Sequence, residues 1–164
     1  HNLKDIISDR KDAHLSKQTS KDSSENLRIL FKECASVMQK IVNLEKPVIA
    51  KVDGIATAAG CQLVASCDLA YASTLSRFAT PGVDLGLFCS TPAVALSRAI
   101  GRKAAMKMLL TGEYIDAQTA ASLGLINEAV PQQELDETVS CIAELISTKS
   151  QVAIAMGKPV FYKQ

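Results

Sequence analysis

A cluster of small residues in the segment DGIATAAGCQLVASCDLA, residues 53–70, most constrains what this chain can fold into. The run PVIAKV before it predicts a strand, and the apolar pattern from Cys61 to Cys67 predicts a helix. A strand that enters a helix directly points the helix's unpaired N–H groups and partial positive charge at the turn. Because Ala59 and Gly60 carry minimal side chains, a ligand can approach that backbone closely.

Two interpretations of this turn stay open on the residues alone. A tight strand–helix contact also needs small side chains, so packing by itself explains the composition. The lysine of a P-loop and the glycine fingerprint of a dinucleotide site are both absent. The specific hypothesis is therefore a backbone site for an anion, or for a thioester oxygen that becomes an enolate during reaction.

The rest of the chain predicts an α/β domain over residues 1–164, because short strands alternate with helices. Residues 8–24 predict a polar, mobile loop, and the pattern turns helical from Glu25 until Pro47 ends it. Further strands are predicted in CDLAYAS, in SRFATPGVDLGL before a Pro81–Gly82 turn, and in INEAVP. Further helices are predicted before Gly101, before Gly112, over 116–125 with caps at Asp116 and Gly124, over 133–148 and from Val152.

Composition limits the partners and the compartment. The net charge is +1 and only 4% of residues are aromatic, which argues against nucleic acid. No apolar run reaches the ~18–20 residues of a membrane span. The number of cysteines is odd and most of them stand in apolar patterns, which predicts buried free thiols in a soluble intracellular protein. No metal site is expected, because neither His1 nor His14 lies near paired cysteines. The cysteines are Cys34, Cys61, Cys67, Cys89 and Cys141.

Two long segments resemble the crotonase family, that is, the enoyl-CoA hydratase/isomerase superfamily. They are PVIAKVDGIATAAGCQLVASCDLAYAS from Pro47, and FATPGVDLGLFCSTPAVALSRAIGRKAAMKMLLTGEYIDAQTAASLGLINEAVP, which ends at Pro131. The start HNLKDI resembles the end of that family's first motif. The pairing of ATAAGCQLVASCD with FATPGVDLGLFCSTP is most similar to one subgroup of the family.

The resemblance implies a crotonase-like spiral core of repeated ββα turns with surrounding helices. It also implies a homotrimer, or a hexamer that is a dimer of trimers. Family members carry strands ahead of the position of His1 and helices beyond that of Gln164, so the domain is expected to be incomplete.

The resemblance further implies an acyl-CoA thioester as substrate, with no cofactor other than the coenzyme A of that thioester. The oxyanion hole would consist of the backbone N–H groups of His1 and Ala59, and the loop at the start of the chain would contact the adenine. The implied substrate-binding residues are Asn2, Leu3, Ala58, Gly60, Pro81 and Leu85.

The sequence departs from the family at both catalytic glutamates, since Gln62 and Gly82 stand at those positions. Asp84 is a candidate replacement acid, because an extended segment would place it on the same side as Gly82. Asp68 is expected to be structural. Cys89 is a candidate nucleophile, although no histidine lies near it in sequence to activate it. Gln62 either orients a water or a carbonyl, or simply fills the carboxylate's place.

Two candidate functions are consistent with the resemblance and with the departures at Gln62 and Gly82. One is an enzyme of the enoyl-CoA hydratase/isomerase type, a lyase or isomerase of fatty acid metabolism. The alternative is a non-catalytic paralogue that binds acyl-CoA or assembles with partners. The compartment would be the cytoplasm in a bacterium and the mitochondrial matrix in a eukaryote. A basic helix surface is expected to be solvated, or to contact coenzyme A phosphates, and is formed by Arg98, Arg102, Lys103 and Lys107.

Overall fold

A computed structural model of the chain describes residues 19–163, with side chains from Glu25 onward. The chain forms two compact units, His1–Gln39 and Lys40–Gln164. The described part of the first unit is helical and belongs to helix α1 (Thr19–Asn43). The predicted loop over 8–24 is therefore wrong at its last six residues, because adding turns to a helix already nucleated at Glu25 costs little. Residues 8–18 lie outside the described residues.

The second unit contains two three-stranded sheets. The first has the order β1–β3–β6 and is parallel, and the second has the order β2–β4–β5, in which β5 is antiparallel. The strands are β1 (Ile49–Val52), β2 (Ile55–Thr57), β3 (Leu69–Ser73), β4 (Arg77–Ala79), β5 (Ile115–Asp116) and β6 (Glu128–Val130). The helices are α2 (Ala59–Ser66), α3 (Ser90–Ala99), α4 (Arg102–Thr111), α5 (Ala117–Leu123), α6 (Leu135–Ser147) and α7 (Gln151–Tyr162), with 3₁₀ turns at Pro81–Leu85 and Gln132–Glu134.

The first four strands alternate between the two sheets along the chain. β1 and β3 lie in the first sheet, while β2 and β4, which follow them, lie in the second. A helix comes after each such strand pair, α2 directly and α3 after a 3₁₀ turn. This arrangement is the predicted ββα turn, and it brings the carboxyl ends of β2 and β4 side by side because these two strands are parallel.

Small side chains let the sheets and helices of this unit approach closely. Ala50 lies opposite Ala70 in the β1–β3 register, and Ala72 and Ala79 have no exposed surface. Phe78 supplies much of the apolar bulk among them, and its burial contributes about 1.5–3 kcal/mol. Strands β2 and β4 therefore pack on a core of buried apolar side chains.

Most of the predicted helix ends are confirmed. Asp116 caps α5 by accepting a hydrogen bond from the Thr119 N–H at 2.7 Å. Gly124 and Gly112 follow α5 and α4 with φ of +85° and +67°, a conformation that favours glycine.

The prediction that Gly101 closes helix α3 is wrong. That helix ends at Ala99 and Ile100 is its extended C-cap. Gly101 has a φ of −59° and is instead the N-cap residue of α4, a position where glycine is also favoured.

Cys61, Cys67, Cys89 and Cys141 are free thiols, and the five cysteines differ in burial. The expectation of buried thiols is confirmed for Cys61 and wrong for Cys141, which is exposed on α6. Cys34, Cys67 and Cys89 are half-buried. Burial raises the pKa of the Cys61 thiol to about 12 and that of Cys67 to about 11.

In the part of the chain that the structure describes, no helix is both long and apolar enough to cross a membrane. Nor does any cluster of three or more His, Cys, Asp or Glu side chains among residues 25–163 have an arrangement that could hold a metal ion.

Candidate functional site

Ala58 is the residue that connects β2 to α2. Its φ of 50° and ψ of −115° make it the only non-glycine residue with positive φ within residues 19–163. Two hydrogen bonds hold this conformation: the Ala58 N–H donates to the Ala79 carbonyl, and the Ala58 carbonyl accepts from the Gln62 N–H, both at 3.0 Å. Such backbone strain costs on the order of 1–3 kcal/mol and persists only where the surroundings impose it.

The strained residue directs the start of α2. The N–H groups of Ala59, Gly60 and Cys61 have no acceptor among the described residues, as expected for the first turn of a helix. A Cβ placed on Gly60 would meet no atom within 4 Å, so space is open there. The turn therefore presents free donors beside an open space, and the helix dipole adds partial positive charge.

The strain at Ala58 predicts an unusual response to substitution. Ala58→Gly is expected to raise the free energy of unfolding by about 1 kcal/mol, because glycine adopts positive φ without strain. Ala58→Val is expected to lower it by at least as much, because a branched side chain is worse there. Chemical denaturation of the two variants measures both shifts, and an unchanged midpoint in both would contradict the strain.

The second motif forms a 3₁₀ turn at Pro81–Leu85. The prediction that Asp84 shares a side with Gly82 required an extended segment and is therefore wrong. The Asp84 carboxylate lies against the end of α4 instead, with Oδ2 3.1 Å from the point that a Cβ on Gly112 would occupy. Asp84 is exposed, and its carboxylate lies beside Gly112, whereas a side chain at Gly82 would point at Cys89.

The Cys89 side chain occupies the space in front of Gly82. A Cβ on Gly82 would lie 2.6 Å from Cys89 Sγ and 2.8 Å from the Leu87 carbonyl oxygen. Cys89 is the N-cap residue of α3 and packs on the core cluster that contains Cys61. The space beside Gly82 is therefore filled by a thiol, and position 82 cannot accept a side chain without movement of the loop.

Gly82→Ala is expected to lower the free energy of unfolding by about 1–3 kcal/mol, because the new methyl group overlaps Cys89 Sγ and the Leu87 carbonyl. Adding Cys89→Ala should recover part of that loss, since only the carbonyl contact remains. A double-mutant cycle measured by denaturation gives the coupling energy. Strictly additive losses would contradict a direct contact between positions 82 and 89.

Three polar side chains near the turn have no partner among the described residues. Gln62 is only 8% exposed, and its carboxamide makes no hydrogen bond, although its backbone carbonyl accepts one from the Ser66 hydroxyl at 2.8 Å. The hydroxyls of Thr57 and Thr80 are buried and also unpaired. Thr57 is the last residue of β2 and Thr80 directly follows β4. Sequence reasoning missed both; a threonine at the end of each strand that leads into the site was the available signal.

The structure brings together two groups of predicted residues. The Ala58–Gln62 segment and the Pro81–Leu85 turn meet because β2 pairs with β4, with Thr57 opposite Ala79. His1, Asn2 and Leu3 lie outside the described residues. The basic residues Arg98, Arg102, Lys103 and Lys107 are exposed on α3 and α4.

Asp68 has the structural environment that the sequence predicted. Its carboxylate accepts hydrogen bonds from the Val48 N–H at 2.6 Å, from Lys158 Nζ at 2.8 Å and from the Tyr162 hydroxyl at 2.9 Å. Lys158 Nζ also donates to the carbonyls of Ile41 and Lys46. Burial and the bond to Asp68 raise the pKa of Tyr162, which keeps that hydroxyl a donor. This clasp, formed by Asp68, Lys158 and Tyr162, fastens α7 to the start of β1.

An open pocket of about 380 Å³ lies elsewhere, against α6. None of the predicted site residues lines it; the lining residues are Glu134, Glu137, Thr138, Cys141 and Ile142. The Ala58 turn is the better candidate for a functional site, because it has free backbone N–H donors and unpaired hydroxyls nearby. The pocket against α6 is open to solvent and is lined by the carboxylates of Glu134 and Glu137.

Comparison with known proteins identifies the family. Residues 14–164 match the family model described as enoyl-CoA hydratase/isomerase. The chain is 56% identical over 135 residues to the rat protein named "Enoyl-CoA hydratase domain-containing protein 3, mitochondrial", which covers 82% of this chain and 45% of that protein. The resemblance to one subgroup is confirmed by this relative and by others of the same name.

Solved structures agree with the predicted fold. The crystal structure of human enoyl Coenzyme A hydratase domain-containing protein 3 matches with a TM-score of 0.84 and 49% identity, over 99% of this chain and 60% of that chain. The structure of an enoyl-CoA hydratase from Mycobacterium smegmatis matches with a TM-score of 0.83 and 53% identity, over 85% and 54%. The chain spans about half the length of the curated relatives it matches. With its crotonase-type fold and these matches, the chain belongs to the enoyl-CoA hydratase/isomerase family.

Proposed function

We propose that this protein binds an acyl-CoA thioester with the carbonyl oxygen against the Ala59 N–H, and stabilises the enolate that forms there. The observation that carries the proposal is the strained Ala58, after which the Ala59 N–H has no acceptor among residues 19–163, in a chain of this family. Fixed donors aimed at a developing oxyanion are among the largest contributions to catalysis.

The second donor of this oxyanion hole would be the His1 N–H. In the same proposal, the loop at Asn2 and Leu3 contacts the adenine of coenzyme A, and Pro81 and Leu85 line the acyl group. The exposed basic face on α3 and α4 offers cations for the phosphates. No separate cofactor is needed, because coenzyme A arrives as part of the thioester.

The carboxamide of Gln62 orients a bound water or carbonyl but cannot exchange a proton near neutral pH. Because Gly82 also lacks an acid, ordinary hydration is expected to be slow. A second candidate function follows from Cys89, which fills the space beside Gly82. In that case the protein holds acyl-CoA, or assembles with partners, without hydrating it.

The assembly and the compartment are part of the proposal. A homotrimer, or a dimer of trimers, is expected from the family. The rat and human relatives carry the word mitochondrial in their names, which supports the mitochondrial matrix for a eukaryotic source.

Thermal unfolding with coenzyme A thioesters tests the binding. A ligand at a hundred times its dissociation constant stabilises the folded state by about 2.7 kcal/mol, so acetyl-CoA should raise the melting temperature by several degrees. Coenzyme A without an acyl group is the matched ligand, and the difference between the two reports the thioester contact. An unchanged melting temperature at millimolar acetyl-CoA would contradict the proposal.

A further inference from the structure

Cys89 places a sulfur atom between the two segments of the candidate site. Its Sγ lies 2.6 Å from the point where a side chain at Gly82 would begin. It also lies close enough to Cys61, in the first turn of α2, that the Cys89 thiol contributes to the raised pKa of Cys61. The sulfur is thus near both the helix with the free N–H groups and the turn that lacks its acid.

Unpaired polar groups accompany this sulfur. Gln62 follows Cys61 directly and is 8% exposed, and its carboxamide has no partner among the described residues. The Thr80 hydroxyl, two residues before Gly82, is fully buried and also unpaired. A buried hydroxyl without a partner costs about 1–3 kcal/mol, so the Thr80 hydroxyl is best explained by a partner that arrives with a ligand or a water.

We propose that Cys89 is a covalent acceptor for α,β-unsaturated thioesters held at the Ala58 turn, an inference that rests on the proposed function. Sγ forms a bond to the β-carbon, and the π-electron pair of the double bond moves through the α-carbon onto the thioester oxygen. The enolate is stabilised by the Ala59 N–H. The proton lost by the thiol is then delivered to the α-carbon, so the product is a thioether and nothing leaves.

Position distinguishes this sulfur from the other thiols. Cys61 is fully buried, and its pKa of about 12 keeps it protonated at neutral pH. Cys141 is exposed on α6, in the pocket lined by Glu134 and Glu137, which includes none of the residues of the Ala58 turn. Cys89 is half-buried at the N-terminus of a ten-residue helix and lies beside Gly82. A bound enoyl group beside it gains the rate advantage of proximity.

Intact mass spectrometry with crotonyl-CoA tests the inference on the full chain. The expected result is a mass increase equal to the whole ligand, located at Cys89 by peptide mapping, at a rate that saturates with ligand concentration. Cys89→Ala should lose this adduct, whereas the matched variant Cys141→Ala should retain it. The saturated thioester butyryl-CoA should slow the reaction at least tenfold at saturation without forming an adduct.

The same experiments can also give results that contradict the inference. Labelling confined to Cys141, or labelling of Cys89 that neither saturates nor responds to butyryl-CoA, would overturn the covalent role. If butyryl-CoA raises the melting temperature but crotonyl-CoA leaves Cys89 free, this inference fails while the proposed function stands. If neither thioester changes the melting temperature, the proposed function itself fails.

Discussion

Crotonyl-CoA is expected to be hydrated by this protein at least about 10²-fold more slowly than by a family hydratase with both glutamates. General acid–base catalysis contributes roughly 10²–10⁴ per group, and neither Gln62 nor Gly82 can donate or accept a proton near neutral pH. Loss of absorbance at the enoyl band measures the rate. The enolate site can persist without hydration, so the melting temperature should still respond to acetyl-CoA.

The control for the slow hydration of crotonyl-CoA is Gln62→Glu, which introduces a carboxylate at one of the two positions. It should leave hydration close to the original rate, because the two carboxylates act together and position 82 still lacks an acid. Turnover equal to that of an ordinary hydratase, in the original protein, would contradict the assignment of Gln62 and Gly82 to the catalytic positions.

Asp68→Ala is expected to lower the free energy of unfolding by about 3–5 kcal/mol, the largest stability effect in this chain. The substitution leaves the Lys158 ammonium, whose side chain is only 7% exposed, without its buried counter-ion. It also removes the acceptor of the Val48 N–H and of the Tyr162 hydroxyl. Urea denaturation gives the change directly.

The matched control is Asp136→Ala, which breaks the ion pair with Lys51. That aspartate is 83% exposed and the lysine 49%, so its loss should cost no more than about 1 kcal/mol. The double variant Asp68→Ala with Lys158→Met should recover part of the loss, because it removes the stranded charge. Equal losses for Asp68→Ala and Asp136→Ala would contradict the clasp.

The fold was largely predictable because its signals are local. Asp116 and Gly124 marked the ends of α5, and the run at Ile49–Val52 marked a strand. The prediction that Gly101 ends α3 failed because a glycine between two helices can cap either one, and its backbone angles decide which. The loop prediction over 8–24 failed at residues 19–24, where polar composition did not prevent helix extension.

The candidate site was predictable in part. The small residues around Ala58 indicated a close backbone approach, but they could not show that Ala58 itself carries the strain. Asp84 was misplaced because strand alternation does not apply in a 3₁₀ turn. The contact of Cys89 with Gly82 depends on the path of the intervening loop, which no periodicity encodes.

The carbonyl vibration of a bound thioester tests the central claim most directly. With acetyl-CoA labelled with ¹³C at the carbonyl, the difference infrared spectrum should show the C=O stretch shifted to lower wavenumber on binding. Ala59→Pro removes the N–H at the first helical position and should abolish most of that shift. A bound thioester with an unshifted carbonyl, or a shift that survives Ala59→Pro, would contradict the role of this backbone donor.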